Sequence, residues 1–349
     1  RGEPMKALRT FASYLLVAVI VLLAAVLSIR VVGSDVTKSF AGFFHGAFGS
    51  EYGISEVLVR ATPLMLAGLG VSIGFSSGFF NIGAEGQIYM GAAAATVVGL
   101  LLPGLPIGIL LPLAILASFA AGGFWSAVPG LLKARWGLSE VINTIMFNYI
   151  AINIVGILVR TVLKDPNYPL PMSPEPSAGM TLPTLLEGTR LHAGLLIALA
   201  AAFLVHLLMR KTRIGFTMRV VGLNPRAGRV AGISVRANVL VASLLSGGLA
   251  GVAGAVEVAG IHHKLLEGIS PGFGYLAIIV SLLGKNNPAG IVAAALGIAI
   301  LQVGSMSMQR QAGVPTSISW IIMGLLVLLI LARTTFFRFL LKDTGEVRS

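Results

Sequence analysis

The stretch GFFNIGAEGQIYMGAAAA, residues 78–95, decides what kind of molecule this chain makes. Its small and apolar residues read as membrane helix, yet Asn81, Glu85 and Gln87 all fall within it. A carboxylate in the middle of a span costs about 2.5–3.5 kcal/mol on insertion scales. Non-helical backbone at membrane depth is tolerated only where protein or a water-filled cavity surrounds it. Gly78, Gly83 and Gly86 loosen the helix at this point. The stretch therefore calls for a bundle of other spans around it.

The rest of the chain supplies that bundle. Of 349 residues, 56% are hydrophobic and 11% charged, with a mean hydropathy of +0.91. Soluble domains carry roughly 25% charged residues. Gly contributes 43 positions, and small residues suit close helix packing in lipid. A helical span needs about 20 mostly apolar residues. Ten candidates occur, at 11–30, 55–76, 82–102, 106–132, 139–161, 191–210, 237–260, 272–284, 288–308 and 317–333. The eighth is short and bounded by Gly and Pro, so it reads as a broken or partial span. The first has the look of a signal peptide, but the many later spans favour an uncleaved anchor. The expected fold is an all-α integral membrane protein with about ten transmembrane helices, some broken or partial. It forms one transmembrane domain over residues 1–349, with no separate soluble domain.

The net charge of +12 is arranged by topology and does not call for nucleic acid. Lys6 and Arg9 precede the first span, and Lys133 and Arg135 follow the fourth. Arg210, Lys211, Arg213, Arg219, Arg226, Arg229 and Arg236 follow the sixth; Arg333, Arg338, Lys342 and Arg348 follow the tenth. An even count of spans puts all four clusters on one side, which the positive-inside rule makes cytoplasmic, with both termini. Residues 31–54, with Phe40, Phe43, Phe44 and Phe48, fit a segment lying along the membrane interface. Residues 162–190 are rich in Pro and polar residues and form an irregular extracytoplasmic loop.

Several chemistries are missing. There is no cysteine and no phosphate-binding G-x-x-x-x-G-K-[ST] run, since LLGKNN lacks the first Gly and the Ser/Thr. His262 and His263 are adjacent rather than spaced along one helix face, which argues against a metal site. No nucleophile–base set stands out. The chain reads as a conduit that does not hydrolyse ATP itself.

Residues 213–235 are too ordered for a plain cytoplasmic loop. Gly222 allows a turn, Asn224 suits a helix N-cap and Pro225 the first helical position. PRAGRVAGI then supplies one or two turns, which Gly232 is placed to end. A short helix between two spans, with apolar Ala, Val and Ile and surrounding arginines, suits a groove on a separate motor subunit.

Four segments, in order, carry a family resemblance: RATPLMLAGLGVSIGFSSGFFNIGAEGQIYMGA, LSEVINTIMFNYIA, VVGLNPRAGRVAGI and GFGYLAIIVSLLGKNNPAGIVAAA. They resemble permease subunits of bacterial ABC importers for nucleosides and simple sugars, a group that includes ribose and branched-chain amino acid permeases. The resemblance covers nearly the whole chain. It implies a multi-pass protein of the bacterial cytoplasmic membrane, working with a second related permease and a cytoplasmic double-cassette ATPase. An extracytoplasmic solute-binding lipoprotein of the basic membrane protein type completes the system. ATP and Mg then belong to the ATPase, and this chain needs no cofactor. The coupling segment is implied to dock on the ATPase through Arg219, Gly222, Asn224, Pro225, Arg226, Arg229, Ala231, Gly232 and Ile233. Two departures stand out. Ala227-Gly228 replaces a common pair of alanines, and Ser76-Ser77 stands where a basic residue is common. Permeases for branched-chain amino acids or plain sugars, and a self-sufficient secondary transporter, are the competing readings.

The polar residues of the spans have two readings each. Glu85 either lines the pathway or accepts hydrogen bonds from exposed backbone where a helix is broken, and the structural reading leads. Asn81 suits a cap for a helix starting near Ile82. Gln87, two residues from Glu85, points to a different helix face. Ser139 and Glu140 suit a helix N-terminus. Asn143, Asn148, Tyr149 and Asn153 form a second polar row, as interhelical glue or as pathway. Glu257 belongs to an outer vestibule, a lipoprotein contact or a satisfied interface. Ser281, with the turn Lys285-Asn286-Asn287, lies toward the cytoplasmic side near a gate or interface.

Overall fold

The computed structural model describes residues 3–342, with side chains from Leu15 onward except Ser319, Leu331 and residues 333–342. The side chains of Lys6, Arg9, Arg333, Arg338 and Lys342, and all of Arg348, therefore lie outside the described part. In chain order the helices are α1 (Glu3–Val31), α2 (Val36–Phe48), α3 (Glu51–Ser76), α4 (Ala84–Leu101), α5 (Ile107–Trp136) and α6 (Glu140–Arg160). A 3₁₀ turn (Ala178–Met180) follows, then α7 (Gly194–Lys211), α8 (Arg213–Leu223), α9 (Pro225–Val230) and α10 (Val235–Glu257), which runs into a π turn (Val258–His262). The last are α11 (Phe273–Leu283), α12 (Pro288–Ala312) and α13 (Thr316–Lys342). No strand occurs among the described residues.

Among the described residues, six helices are long and apolar enough to cross a membrane: α3, α5, α6, α7, α10 with its π turn, and α12. Counting the bent pair α1–α2, which turns by 118°, makes seven. The expected third and eighth spans are the ones that depart most from a plain helix. The third starts only at Ala84, after a non-helical segment in which Gly78 has φ +76°. The eighth, α11, has 11 residues and begins behind Gly272 at φ +90°.

The chain divides into two compact units. One joins residues up to Val57 with those from Gly297 on. Its core is Ile29, Met308, Val314 and Ile318, with Val36, Phe40 and Phe43 packed against them. The aromatic residues of α2 thus serve partly as core.

The other unit, residues 58–296, is built around α10. Glycines let α4 and α5 meet α10 backbone to backbone. A Cβ on Gly91 would lie 2.2 Å from the Gly251 carbonyl oxygen, and one on Gly122 would lie 2.3 Å from that of Gly247. Without a hydrophobic drive between helices in lipid, such close packing is what holds spans together.

The loop 162–190 is irregular, as expected, but it is tied down. Ser173 N–H donates to the Leu265 carbonyl at 2.8 Å, and Leu182 N–H donates to Ala259 at 2.9 Å. Lys264 pairs with Glu175 at 3.2 Å and lies over the Tyr168 ring. The loop is thus fastened across the end of α10 and the segment that leads to α11.

Candidate functional site

The connection from α3 to α4 leaves helical geometry between Ser77 and Gly83, and the polar residues of the opening stretch converge on it. Asn81 is fully buried. Its Oδ1 accepts from Gly83 N–H at 2.8 Å and from Gln87 Nε2 at 2.9 Å. Its Nδ2 donates to Gln87 Oε1 and to Ser246 Oγ of α10, both at 2.8 Å. The helix begins at Ala84 with Gly83 at the N-cap, so Asn81 closes a turn before the helix and is not its cap.

Asn148 of α6 brackets the same segment from the other side. Its Oδ1 accepts from Gly86 N–H at 2.8 Å and its Nδ2 donates to the Ile82 carbonyl at 2.9 Å. Ile82 N–H donates to Thr144 Oγ1 at 3.3 Å. Below them Lys133 of α5 donates to the Gly78 carbonyl and forms an ion pair with Glu140. Ser139 occupies the N-cap of α6, but its side chain makes no capping bond there; Glu140 is turned to Lys133 instead.

Glu85 is buried and faces neither lipid nor the Asn81 network. Its Oε2 accepts from Gly274 N–H of α11 at 2.7 Å. A carboxylate at the start of α11 meets the positive end of that helix and one of its unpaired donors. Ser270 Oγ takes the neighbouring Phe273 N–H at 3.1 Å. The arrangement holds two short or late-starting membrane helices together at their first turns.

The other sequence candidates lie apart. Tyr149 and Asn153 are on the exposed face of α6 with Ile142, Met146 and Ile157, and Asn153 Nδ2 bonds back to the Tyr149 carbonyl at 2.7 Å. Asn143 is half-buried, and its Nδ2 has no hydrogen-bond partner among the described residues. Ser281 donates to Asn286 Oδ1 at 2.8 Å and so supports the turn where Lys285 and Asn286 take positive φ. Glu257 is buried at the end of α10, where the π turn brings His262 Nε2 to 3.6 Å from its carboxylate. Both line a polar cavity of about 220 Å³ with Arg60, Arg190, Pro271 and Phe273. The 23 residues of α10 span about 35 Å, which puts this cavity a membrane thickness from the α8–α9 region.

In that region Asn224 Oδ1 accepts from Arg226 and Ala227 N–H, Pro225 opens α9, and Ala231 ends it. Gly232 follows at φ +76°, and Ile233 N–H returns to the Gly228 carbonyl at 2.9 Å. Leu223 and Val230 are 89% and 91% exposed, beside exposed Arg226 and Arg229. Arg219 is occupied differently, donating to the Met209 carbonyl at the end of α7. Gly222 makes no turn; it lies inside α8 for another reason. A Cβ there would sit 2.2 Å from the Ser76 carbonyl oxygen and 3.2 Å from Gly78 N. The segment before α9 is therefore in backbone contact with the start of the non-helical connection.

Residues 53–331 match the family described as "Branched-chain amino acid transport system / permease component". The chain belongs to this permease family. It is a multi-pass membrane protein. The guanosine ABC transporter permease NupP of Bacillus subtilis is 39% identical over 320 residues, covering 90% of this chain and 91% of NupP. The glucose ABC transporter permease TsgB13 of Haloferax volcanii is 37% identical, over 87% of this chain and 83% of its own. The nucleoside ABC transporter permease NupB of Lactococcus lactis is 32% identical, over 80% and 79%.

Three contributors to the polar network escape a reading of the permease sequence: Thr144, Ser246 and Lys133. Each is a single polar residue in an apolar run or at a span end. Only the spacing of Thr144 four residues before Asn148, on one helix face, was a usable signal.

Proposed function

We propose that this permease is a transmembrane subunit of an ATP-driven ABC importer and carries nucleosides, or related sugar-containing solutes, into the cell. It sits in the cytoplasmic membrane with both termini inside. The ten membrane elements expected from sequence then include α4 and α11 as partial spans. A second, related permease completes the pathway, an extracytoplasmic lipoprotein delivers the solute, and a double-cassette ATPase holds ATP and Mg. The observation that carries this reading is α9, a capped six-residue helix whose exposed Val230, with Leu223 at the end of α8, flanks the exposed Arg226 and Arg229. Such apolar tips on a loop helix of a membrane protein suit a groove on another subunit.

The chain's own residues give a path for the motion. Displacement of α9 moves α8, whose Gly222 rests on Ser76 and Gly78. The Asn81 and Asn148 bonds carry the shift to the first turn of α4, and Glu85 carries it to α11. In this scheme Asn81, Glu85, Gln87 and Asn148 frame the pathway, while the exposed Tyr149 and Asn153 offer hydrogen bonds to a passing solute. Glu257 and its cavity form the outer vestibule, and Ser281 supports the turn after α11.

The nucleoside reading draws on NupP and NupB, and TsgB13 keeps a plain sugar as the second reading. Uptake of labelled guanosine by the reconstituted complex tests both. ATP-dependent uptake that adenosine inhibits and leucine does not is the expected result. Inhibition by glucose or ribose and not by nucleosides overturns the solute choice. Uptake driven by an ion gradient with no ATPase present overturns the importer reading itself.

A further inference from the structure

The helix α7 stands away from its neighbours along a long apolar cleft. The cleft has a volume of about 670 Å³ and is walled by α3, α5, α7 and α10; Phe119, Ile197, Leu204, Leu245 and Leu249 line it, and Thr212 closes one end. From Ile197 to Thr212 a helix advances about 22 Å, more than the ~15 Å depth of one leaflet of the hydrocarbon core. A gap of this size and polarity at membrane depth is filled by hydrocarbon, since water has no polar partners in it.

The end at Thr212 has a distinct character. Arg210, Lys211 and Arg213 flank Thr212 along the chain and are exposed. No Asp or Glu occurs in the sequence between Glu187 and Glu257, so the segment brings no carboxylate of its own to these cations. They are not needed to satisfy the end of α7 at Met209 either, because Arg219 donates to its carbonyl. A hydrocarbon cleft ending in a cluster of basic side chains matches one ligand in both its parts.

We propose that this cleft binds an anionic phospholipid, with one acyl chain between α7 and α10 and the phosphate headgroup held by Arg210, Lys211 and Arg213. Basic pockets between membrane helices on the cytoplasmic side hold anionic headgroups by the same electrostatics. The site braces the elbow between α7 and α8, and through it the base of the coupling segment. The inference does not depend on which solute is carried.

The test uses the intact transporter complex in nanodiscs containing phosphatidylglycerol that bears a photoactivatable group in its acyl chain. Crosslinks are expected on peptides of α7 and α10. Unlabelled phosphatidylglycerol should displace the label better than phosphatidylcholine with the same chains, by about tenfold or more, the scale set by two basic side chains near an anionic surface. Lys211→Gln combined with Arg213→Gln should cut that preference by about tenfold or more, and Ala201→Phe, which fills the cleft, should remove the label. If the cleft variant fails to assemble, the charge variant decides alone. Three results each overturn the proposal: no label in the cleft, as when a helix of the second permease covers it; equal displacement by the two lipids; or an unchanged preference in the charge variant.

Discussion

Glu85 on α4 accepts the Gly274 N–H of α11 at 2.7 Å, across 189 residues of chain. This bond answers why a carboxylate stands in an apolar stretch. α11 is a short helix whose first donors are buried, and an unpaired buried donor costs about 1–3 kcal/mol. Placing the acceptor on a neighbouring helix also fixes where α11 begins relative to α4.

The first prediction separates acceptor from charge. Glu85→Ala removes the acceptor, so it should destabilise the chain by about 1–3 kcal/mol. Glu85→Gln keeps an oxygen in reach of Gly274 and loses only the charge at the helix end, worth about 0.3–1 kcal/mol. Thermal midpoints in one detergent should therefore fall clearly for Ala and little for Gln. Equal falls would remove the helix-end role from Glu85.

The second concerns the two ends of one amide. Asn148 serves Gly86 N–H and the Ile82 carbonyl together. Asn148→Leu preserves volume and leaves both groups unpaired at membrane depth, for a loss of about 2–6 kcal/mol at ~1–3 each. Asn153→Leu, on the exposed face of the same helix, should change stability by about 0.5 kcal/mol or less. Yield and thermal midpoint of the purified variants check the contrast. An Asn153 variant as damaged as the Asn148 variant would show that α6 is oriented otherwise.

How much of this was legible in the sequence follows from how local each feature is. Asn224, Pro225 and Gly232 act on their own neighbours, and the short helix they define has the bounds expected of it. The break before α4 was legible because three polar residues cannot all be lipid-facing on one helix. Its partners were not. Ser246 serves Asn81, whereas Ser243, three residues earlier, bonds back to the Leu240 carbonyl of its own helix. In sequence the two serines look alike; only the approach of α10 distinguishes them. Asn81 does not cap α4, and Ser139, though it stands at the N-cap of α6, makes no side-chain capping bond, for the same reason. Asn81 is drawn to Ser246 and Gln87, and the end of α6 is organised by Glu140 with Lys133. Gly222 was expected at a turn, but its need for no side chain comes from Ser76 and Gly78, far away in sequence.

That contact gives the last prediction. A methyl group at Gly222 would lie 2.2 Å from the Ser76 carbonyl oxygen, so Gly222→Ala must lift α8 off the connection it rests on. At Gly232 a methyl group meets nothing within 4 Å, and its cost is the strain of a side chain at φ +76°, about 1–2 kcal/mol. The two variants thus perturb the same segment through different physics. If the Gly222 contact passes motion from α9 to the polar connection, Gly222→Ala uncouples the importer while Gly232→Ala mainly loosens α9. Coupling free energies of ~1–3 kcal/mol correspond to roughly 5–150-fold effects, so solute taken up per ATP hydrolysed should fall by about fivefold or more in Gly222→Ala. Measured side by side in proteoliposomes, Gly232→Ala should keep that ratio near wild type. A wild-type ratio in Gly222→Ala, with the complex assembled, would mean that motion reaches the pathway by another route.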